Sequence, residues 1–416
     1  VQEASRHGIH AEIKSVDFGD IMQRMRSTVS GQSRDIKENL SQSEALDYYQ
    51  GVAEFTGPYS MRVGEEEISG DMILLCPGSR PAIPDIEGLE DTGYLTSDTL
   101  LQLEELPESL IIIGGGYVAA EYGHFFSAMG SRVSILGRNP QFLPGQEPEV
   151  SAVAREEMSE HMDIKVNHEV IRAGSGNGRE VRVLARNRET GEETEMQADK
   201  LLVAAGRAPN TDLLRVDRAG LETDSRGWLA VNDQLETSVE NVWAFGDGIG
   251  RHLYKHVANY ESRVAYANAV LGHSMGVDYH AVPHAVFAWP EIAAVGMKEA
   301  DATATYGQEN VLIGFSPFQE TARGEAMGAE NSFVKVIMEE SRERILGAHI
   351  IGPQASLLIQ ELITLMYTPE QNPMPVVQGM HIHPALSEVV EQALLNLIPQ
   401  SEYQHLLSHM VPEIFE

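Results

Sequence analysis

The chain has 416 residues, 42% of them hydrophobic, enough for about two to four domains with packed cores. A formal net charge of −32 sets it against nucleic acid and anionic membranes, and no apolar run reaches the ~18 residues of a spanning helix. One cysteine, Cys76, excludes a disulfide framework or a thiolate metal site within these residues and points to a reducing cytoplasm.

The first residues, Val1 to His7, carry neither a basic stretch nor an apolar one, so no secretory signal is expected there. Residues 1–45 read as largely helical, with apolar periodicity at Phe18, Ile21, Met22 and Met25. Short strands are expected at 52–55, 60–63 and 72–75, ended by Pro77-Gly78-Ser79-Arg80-Pro81. Residues 82–108 read as a connector. An alternating unit follows, with strands at 111–113 and 132–136, helices at 117–129 and 148–161, and strands at 164–166, 181–185 and 201–204. It reads as a βαβ nucleotide fold with an inserted meander, and Gly174-Ser175-Gly176-Asn177-Gly178 reads as a hairpin tip. Val242–Asp247 is a strand into a turn, followed by a helix over 254–271. Residues 280–416 alternate strands (285–288, 334–338, 345–350) with helices (355–366, 387–397), an α+β domain. The expected division is 1–94, 95–207, 208–275 and 276–416. The carboxylate excess reads as adaptation to high salt, where self-repulsion is screened.

The strongest local signal is Leu110-Ile111-Ile112-Ile113-Gly114-Gly115-Gly116-Tyr117-Val118-Ala119, a buried strand, a Gly-rich turn and a helix start. Gly114 permits the turn, Gly116 lets a pyrophosphate approach the backbone, and Ala119 lets the helix pack closely on the strand. Tyr117 and Glu121, four apart, share a helix face. At the end of the next strand, dinucleotide sites that read the ribose 2′-OH place an acid; here stand Gly137 and Arg138. An arginine there suits a 2′-phosphate, which predicts NADPH in preference to NADH. Pro384 keeps His383 out of the α region, and Glu388 falls in the first turn of the following helix. His7/His10 and His381/His383 lack further ligands, so no metal is expected.

Six stretches in order resemble the flavin- and nicotinamide-dependent disulfide reductases, the group of glutathione reductase, lipoamide dehydrogenase, mercuric reductase and mycothione reductase. They are Leu75–Pro81, the turn at 114–119, Ala205–Thr211, Ala244–Asp247, Trp289–Gly296 and His383–Glu388. The resemblance implies an α/β fold of two Rossmann-like nucleotide-binding domains and a C-terminal α+β dimerisation domain. FAD would be served by 1–94 and 208–275, NAD(P) by 95–207, and the homodimer by 276–416. It implies that Gly78, Ser79, Gly206, Gly246 and Asp247 lie against the cofactors and that Tyr117 covers the flavin face where nicotinamide stacks. Glu121 would pair with a lysine that follows the redox cysteines. His383 would protonate the leaving thiolate of a small disulfide, oriented by Glu388 and facing the partner's flavin.

The family's first Gly-x-Gly-x-x-Gly turn and Cys-x-x-x-x-Cys pair have no counterpart here, as though roughly 50–60 residues ahead of Val1 were absent. Lys255-His256-Val257-Ala258-Asn259 tilts the resemblance to the mycothione reductase branch, with a γ-glutamylcysteine disulfide as a related substrate and lipoamide as the alternative. Mercuric reductase is disfavoured because the tail at 401–416 has no cysteine pair. An NAD(P)H oxidase on the same fold would lack the His383–Glu388 pair. A non-catalytic nucleotide-binding dimer is the third reading. Cys76, at a position where the family often has threonine, is expected to be buried packing beside FAD.

Overall fold

The computed structural model describes residues 8–176 and 180–410, so Val1–His7, Asn177–Arg179 and Val411–Glu416 lie outside the described residues. Residues 11–17 are not helical, contrary to expectation: the first helix, α1 (Phe18–Ser41), starts where Asp17 accepts a hydrogen bond from the Asp20 N–H at 3.0 Å. Phe18 and Met22 of α1 are buried, with Phe18 against Phe125 and Phe126, and most of the rest of the helix is exposed.

Next come β1 (Ala53–Gly57), β2 (Ser60–Val63) and β3 (Glu66–Ser69), an antiparallel sheet, then β4 (Ile73–Leu75) and β5 (Ser79–Pro81). The nucleotide unit runs β6 (Ser109–Ile113), α2 (Tyr117–Met129), β7 (Arg132–Leu136), α3 (Pro148–Ser159) and β8 (Asp163–Lys165). The meander is β9 (His168–Ser175), β10 (Val181–Asn187) and β11 (Glu193–Ala198), and β12 (Lys200–Val203) returns to the main sheet. That sheet is fully parallel in the order β12-β6-β7-β8, and all but the first residue of β6 are buried. β9 and β10 pair antiparallel, with Ser175 opposite Val181, while the tip expected there reaches Asn177 and Gly178, which lie outside the described residues.

β13 (Arg207–Pro209) pairs with β5, α4 (Thr211–Leu214) follows, and β14 (Val242–Ala244) pairs in parallel with β4. The helix α5 (Lys255–Ala269) leads to the C-terminal domain. There β15 (Pro283–Val286), β16 (Ile292–Gly296), α6 (Glu299–Tyr306), β17 (Val311–Pro317), α7 (Ala322–Met327), β18 (Phe333–Glu339) and β19 (Arg344–Ile351) follow. The chain ends in α8 (Ala355–Met366), α9 (Met374–Val377), α10 (Glu388–Leu395), β20 (Leu397–Pro399) and α11 (Gln400–Met410). The six strands form one antiparallel sheet, β15-β16-β19-β18-β17-β20, and the buried sides of α8 and α10 pack on it.

A buried polar hub joins this sheet to the nucleotide unit. Lys335 of β18 is fully buried, and its Nζ donates to Glu147 and Glu299 at 2.6 Å and to Glu149. Tyr403 donates to Glu149 at 3.0 Å, and Gln400 and Gln404 each donate to Glu299 at 2.6 Å. Burial alone would lower the Lys335 pKa, but Glu149, Glu147 and Glu299 outweigh it and raise it above the usual lysine value. The three carboxylates have the spacing of a metal site, with oxygens within 4.8 Å of one another, and the ammonium is their cation.

Candidate active site

The Gly-rich turn opens onto a cavity of about 740 Å³ lined by Gly114, Gly116, Tyr117, Arg138 and Gly206. Gly114 has φ of 132°, and a side chain there would strike the Ala204 carbonyl of the adjoining strand end. At Gly116 a side-chain carbon would meet nothing within 4 Å, so the backbone is open to the cavity. No side chain caps α2, which leaves its first N–H groups free to bind a pyrophosphate. Ala119 is fully buried, as its packing role requires. Gly115 and Gly137 approach so closely that a side-chain carbon on either lies 3.3–3.4 Å from the other's Cα. The first position after β7 is thus reserved for backbone packing, and the next residue, Arg138, is exposed and lines the cavity. Arg188 donates to the Arg138 carbonyl at 3.0 Å, which brings a second guanidinium-bearing residue alongside.

A second cradle forms where β4 and β14 end. Ser79 Oγ donates to Asp247 Oδ2 at 2.6 Å, and Arg207 donates to Ser79 Oγ at 2.9 Å and to the Ser79 carbonyl at 2.7 Å. Gly78 and Gly246 have φ of 68° and 69°, so both turns use the left-handed region open to glycine. The Gly246 N–H donates to the buried Glu261 at 2.6 Å, and Tyr279 Oη donates to the same carboxylate at 2.7 Å. Burial raises the Glu261 pKa, against the pull of these two donors. Glu261 was missed from sequence; its one signal is a charged residue among the buried positions of α5, with Val257, Val264 and Ala265. Cys76 is exposed, not buried, because it lies just past the end of β4 where the chain leaves the sheet.

Tyr117, at the cavity end of α2, is exposed, with its ring 6.4 Å from Tyr254. Tyr254 lies parallel to His256 at 5.4 Å and to His284 at 5.8 Å. Burial pulls the His284 pKa down to about 4, with His349, His256 and His252 adding to the effect. Glu121 does not line the 740 Å³ cavity; it accepts from the Phe287 N–H at 3.0 Å. Its burial raises the carboxyl pKa despite that donor.

His383 and Glu388 meet as the spacing implies. His383 Nδ1 lies 2.8 Å from Glu388 Oε1, and Glu388 Oε2 accepts from the Ala385 N–H at 2.9 Å. These bonds, that from Ala385 first, hold the Glu388 carboxyl below its usual pKa. The carboxylate fixes the proton on Nδ1 and leaves Nε2 to exchange protons, and the His383 side chain is 70% exposed. The dyad sits on the C-terminal domain and not in the nucleotide cavity. Among the described residues, no helix is long and apolar enough to cross a membrane.

Residues 5–269 match the family model described as pyridine nucleotide-disulphide oxidoreductase, and residues 282–394 match that family's dimerisation domain. Mycothione reductase of Mycobacterium tuberculosis strain H37Rv is 35% identical over 412 residues, covering 95% of this chain and 87% of the relative. Dihydrolipoyl dehydrogenase of Haloferax volcanii is 34% identical over 414 residues, covering 96% and 84%. The solved structure of the HOCl-induced flavoprotein disulfide reductase RclA from Escherichia coli superposes with a TM-score of 0.82 at 27% identity, covering 95% and 88%. A nucleotide turn, a second glycine cradle with its aspartate, and a dimerisation-type sheet carrying a His–Glu dyad thus occur in one chain that belongs to the pyridine nucleotide-disulphide oxidoreductase family.

Proposed function

We propose that this chain reduces the disulfide of a low-molecular-weight thiol, of the mycothione or bis-γ-glutamylcystine kind, at the expense of NADPH and through FAD. The observation that carries the reading is the 2.8 Å His383–Glu388 contact on an exposed loop. A leaving thiolate needs a proton, and a histidine with Nδ1 held by a carboxylate offers Nε2 for that purpose. Bound flavin would supply the electron transfer between nicotinamide and disulfide. Gly78, Ser79, Gly246 and Asp247 are the residues that would hold it, and Gly114, Gly116, Tyr117, Gly206 and Arg138 those that would hold NADPH. Tyr117 would shield the face where the two rings meet, and Glu121, raised in pKa, would keep the chain just past β15 at Phe287 in place beside it. Thiol–disulfide exchange uses two sulfurs, and this chain supplies Cys76 alone. Residues 1–416 account for the nucleotide and acid–base parts of the reaction.

The domain assignment we adopt is 1–94 and 208–275 for FAD, 95–207 for NAD(P) and 276–416 for a two-fold dimer in which His383 serves the partner's flavin. A cytoplasmic setting agrees with the single cysteine. The acidic surface, with its net charge of −32, reads as salt adaptation; a melting temperature that stays constant as salt is withdrawn removes that part. Lipoamide is the second reading, favoured by the 34% identity to dihydrolipoyl dehydrogenase. The deciding experiment compares NADPH consumption by the flavin-loaded protein with mycothione, bis-γ-glutamylcystine and lipoamide. Turnover with either of the first two supports the proposal, turnover with lipoamide alone selects the second reading, and a flavin-loaded protein that binds NADPH but turns over none of the three rejects both.

A further inference from the structure

The loop between α9 and α10 carries a second histidine that the reaction does not use. Met380 and Ile382 are 102% and 79% exposed, yet the His381 side chain between them is only 12% exposed. The backbone turns that one ring inward, between two helices. His381 Nε2 lies 3.9 Å from Glu361 Oε2 of α8, and Nδ1 lies 3.4 Å from Glu391 Oε2 of α10. Neither contact is an aligned hydrogen bond: Nδ1 of His381 and Oε2 of Glu361 are buried without a hydrogen-bond partner.

A neutral imidazole has one N–H and one lone pair, so it would turn its lone pair toward one of these two carboxylates. An imidazolium presents N–H to both. Glu361 and Glu391 also repel each other, and a charge between them relieves that repulsion. The Glu361 carboxyl is raised by burial and lowered by His381, with Glu391 raising it further.

Glu388 and Glu391 are three apart on α10, neighbours on one helical face. The loop is therefore fastened to that face twice, His383 on Glu388 and His381 on Glu391, with Glu361 of α8 closing over the second point. We propose that His381 is a positioning residue for disulfide reduction: set between the carboxylates of Glu361 and Glu391, it pins the loop to α8 and α10 and so holds His383 at its working distance from the substrate sulfur. The inference rests on the reading of His383 as the acid–base group. The groups facing His381 are Glu361 from α8 and Glu391 from α10, with Glu388 and His383 one step along.

The test uses the flavin-loaded dimer. His381→Gln is expected to lower kcat for disulfide reduction about 10- to 100-fold, as a displaced catalytic group does, with KM for NADPH and the rate of flavin bleaching by NADPH unchanged. His381→Lys places an ammonium between the two carboxylates and recovers most of the rate. Glu391→Gln lowers kcat several-fold, and the double variant His381→Gln/Glu391→Gln is no worse than His381→Gln alone. Melting temperature and dimer mass accompany each variant. The inference is overturned if His381→Gln matches the parent in rate, if His381→Lys is as impaired as His381→Gln, or if the two single losses add. His383→Gln, run in parallel, separates the levels. If it keeps its activity, the acid–base reading itself fails; if it is inactive while the His381 variants behave as the parent, only the positioning role fails.

Discussion

The C-terminal domain contributes to two ion clusters of similar chemistry and opposite exposure. Lys335 with Glu147, Glu149 and Glu299 is sealed, its ammonium at 0% exposure and its carboxylates at 2–8%. His383 with Glu388 stands open, the histidine side chain 70% exposed. In the sealed cluster every charge is met by a fixed partner, and the cost of removing the partners is high because no water can replace them. In the open pair one nitrogen is held and the other is left to solvent and substrate. Burial makes the first cluster a fastener between domains, and exposure makes the second able to pass a proton.

The contrast yields measurements that can break it. The largest effect is expected from His383→Gln, a fall of about 10²- to 10⁴-fold in disulfide-reducing kcat with no loss of melting temperature. A parallel fall in stability would erase the distinction between the two clusters. Lys335→Met is expected to do the reverse, costing about 3–5 kcal/mol in denaturant unfolding because three buried carboxylates lose their cation. Kinetics below its melting range should stay near the parent's, and a selective loss of kcat without loss of stability would contradict the fastener role.

The third expectation concerns pH. Burial lowers His284 and His349 from 6.5 to about 4, so the folded state binds fewer protons than the unfolded state between those values. Their contribution is fully present above pH 6.5 and is lost as pH falls toward 4, on the order of 3 kcal/mol for each group. Denaturant unfolding at a series of pH values should show this slope, and His284→Gln should flatten part of it. An equal slope in the variant would exclude His284 as a source. The smallest effect is at the nucleotide turn: Arg138→Glu should raise KM for NADPH about 10- to 100-fold while NADH changes far less. Equal changes for both nucleotides would leave Arg138 without a role in selection.

Legibility followed sequence distance. The helix Tyr117–Met129 and the strand Arg132–Leu136 were readable to the residue because glycines bound the helix, Gly116 before it and Gly130 in the left-handed region after it. The His383–Glu388 dyad was readable because its members are five apart on a loop–helix junction. The Lys335 hub was not, since its bonds to Glu147 and Glu149 join residues 188 and 186 positions apart. Nor was the His381 clamp, whose carboxylates come from two helices. Two long strands of the six-stranded sheet, Ile292–Gly296 and Val311–Pro317, were not singled out: the first is buried almost throughout and so shows no alternation. The expected helix before Phe18 failed because periodicity marks a face, while the Asp17 cap decides where the helix begins.

The Lys335 hub also constrains how such a chain can be recombined. Glu147 and Glu149 lie within the segment matching the first family model, Lys335 and Glu299 within the second, and Gln400 and Gln404 beyond both. A chimaera that crosses over between residues 269 and 282 would inherit half of the hub from each parent. Unless both parents carry the same charges at these places, the graft would bury either a bare ammonium or a set of bare carboxylates. The modules are separable as patterns of sequence; as exchangeable parts they come only as a matched pair.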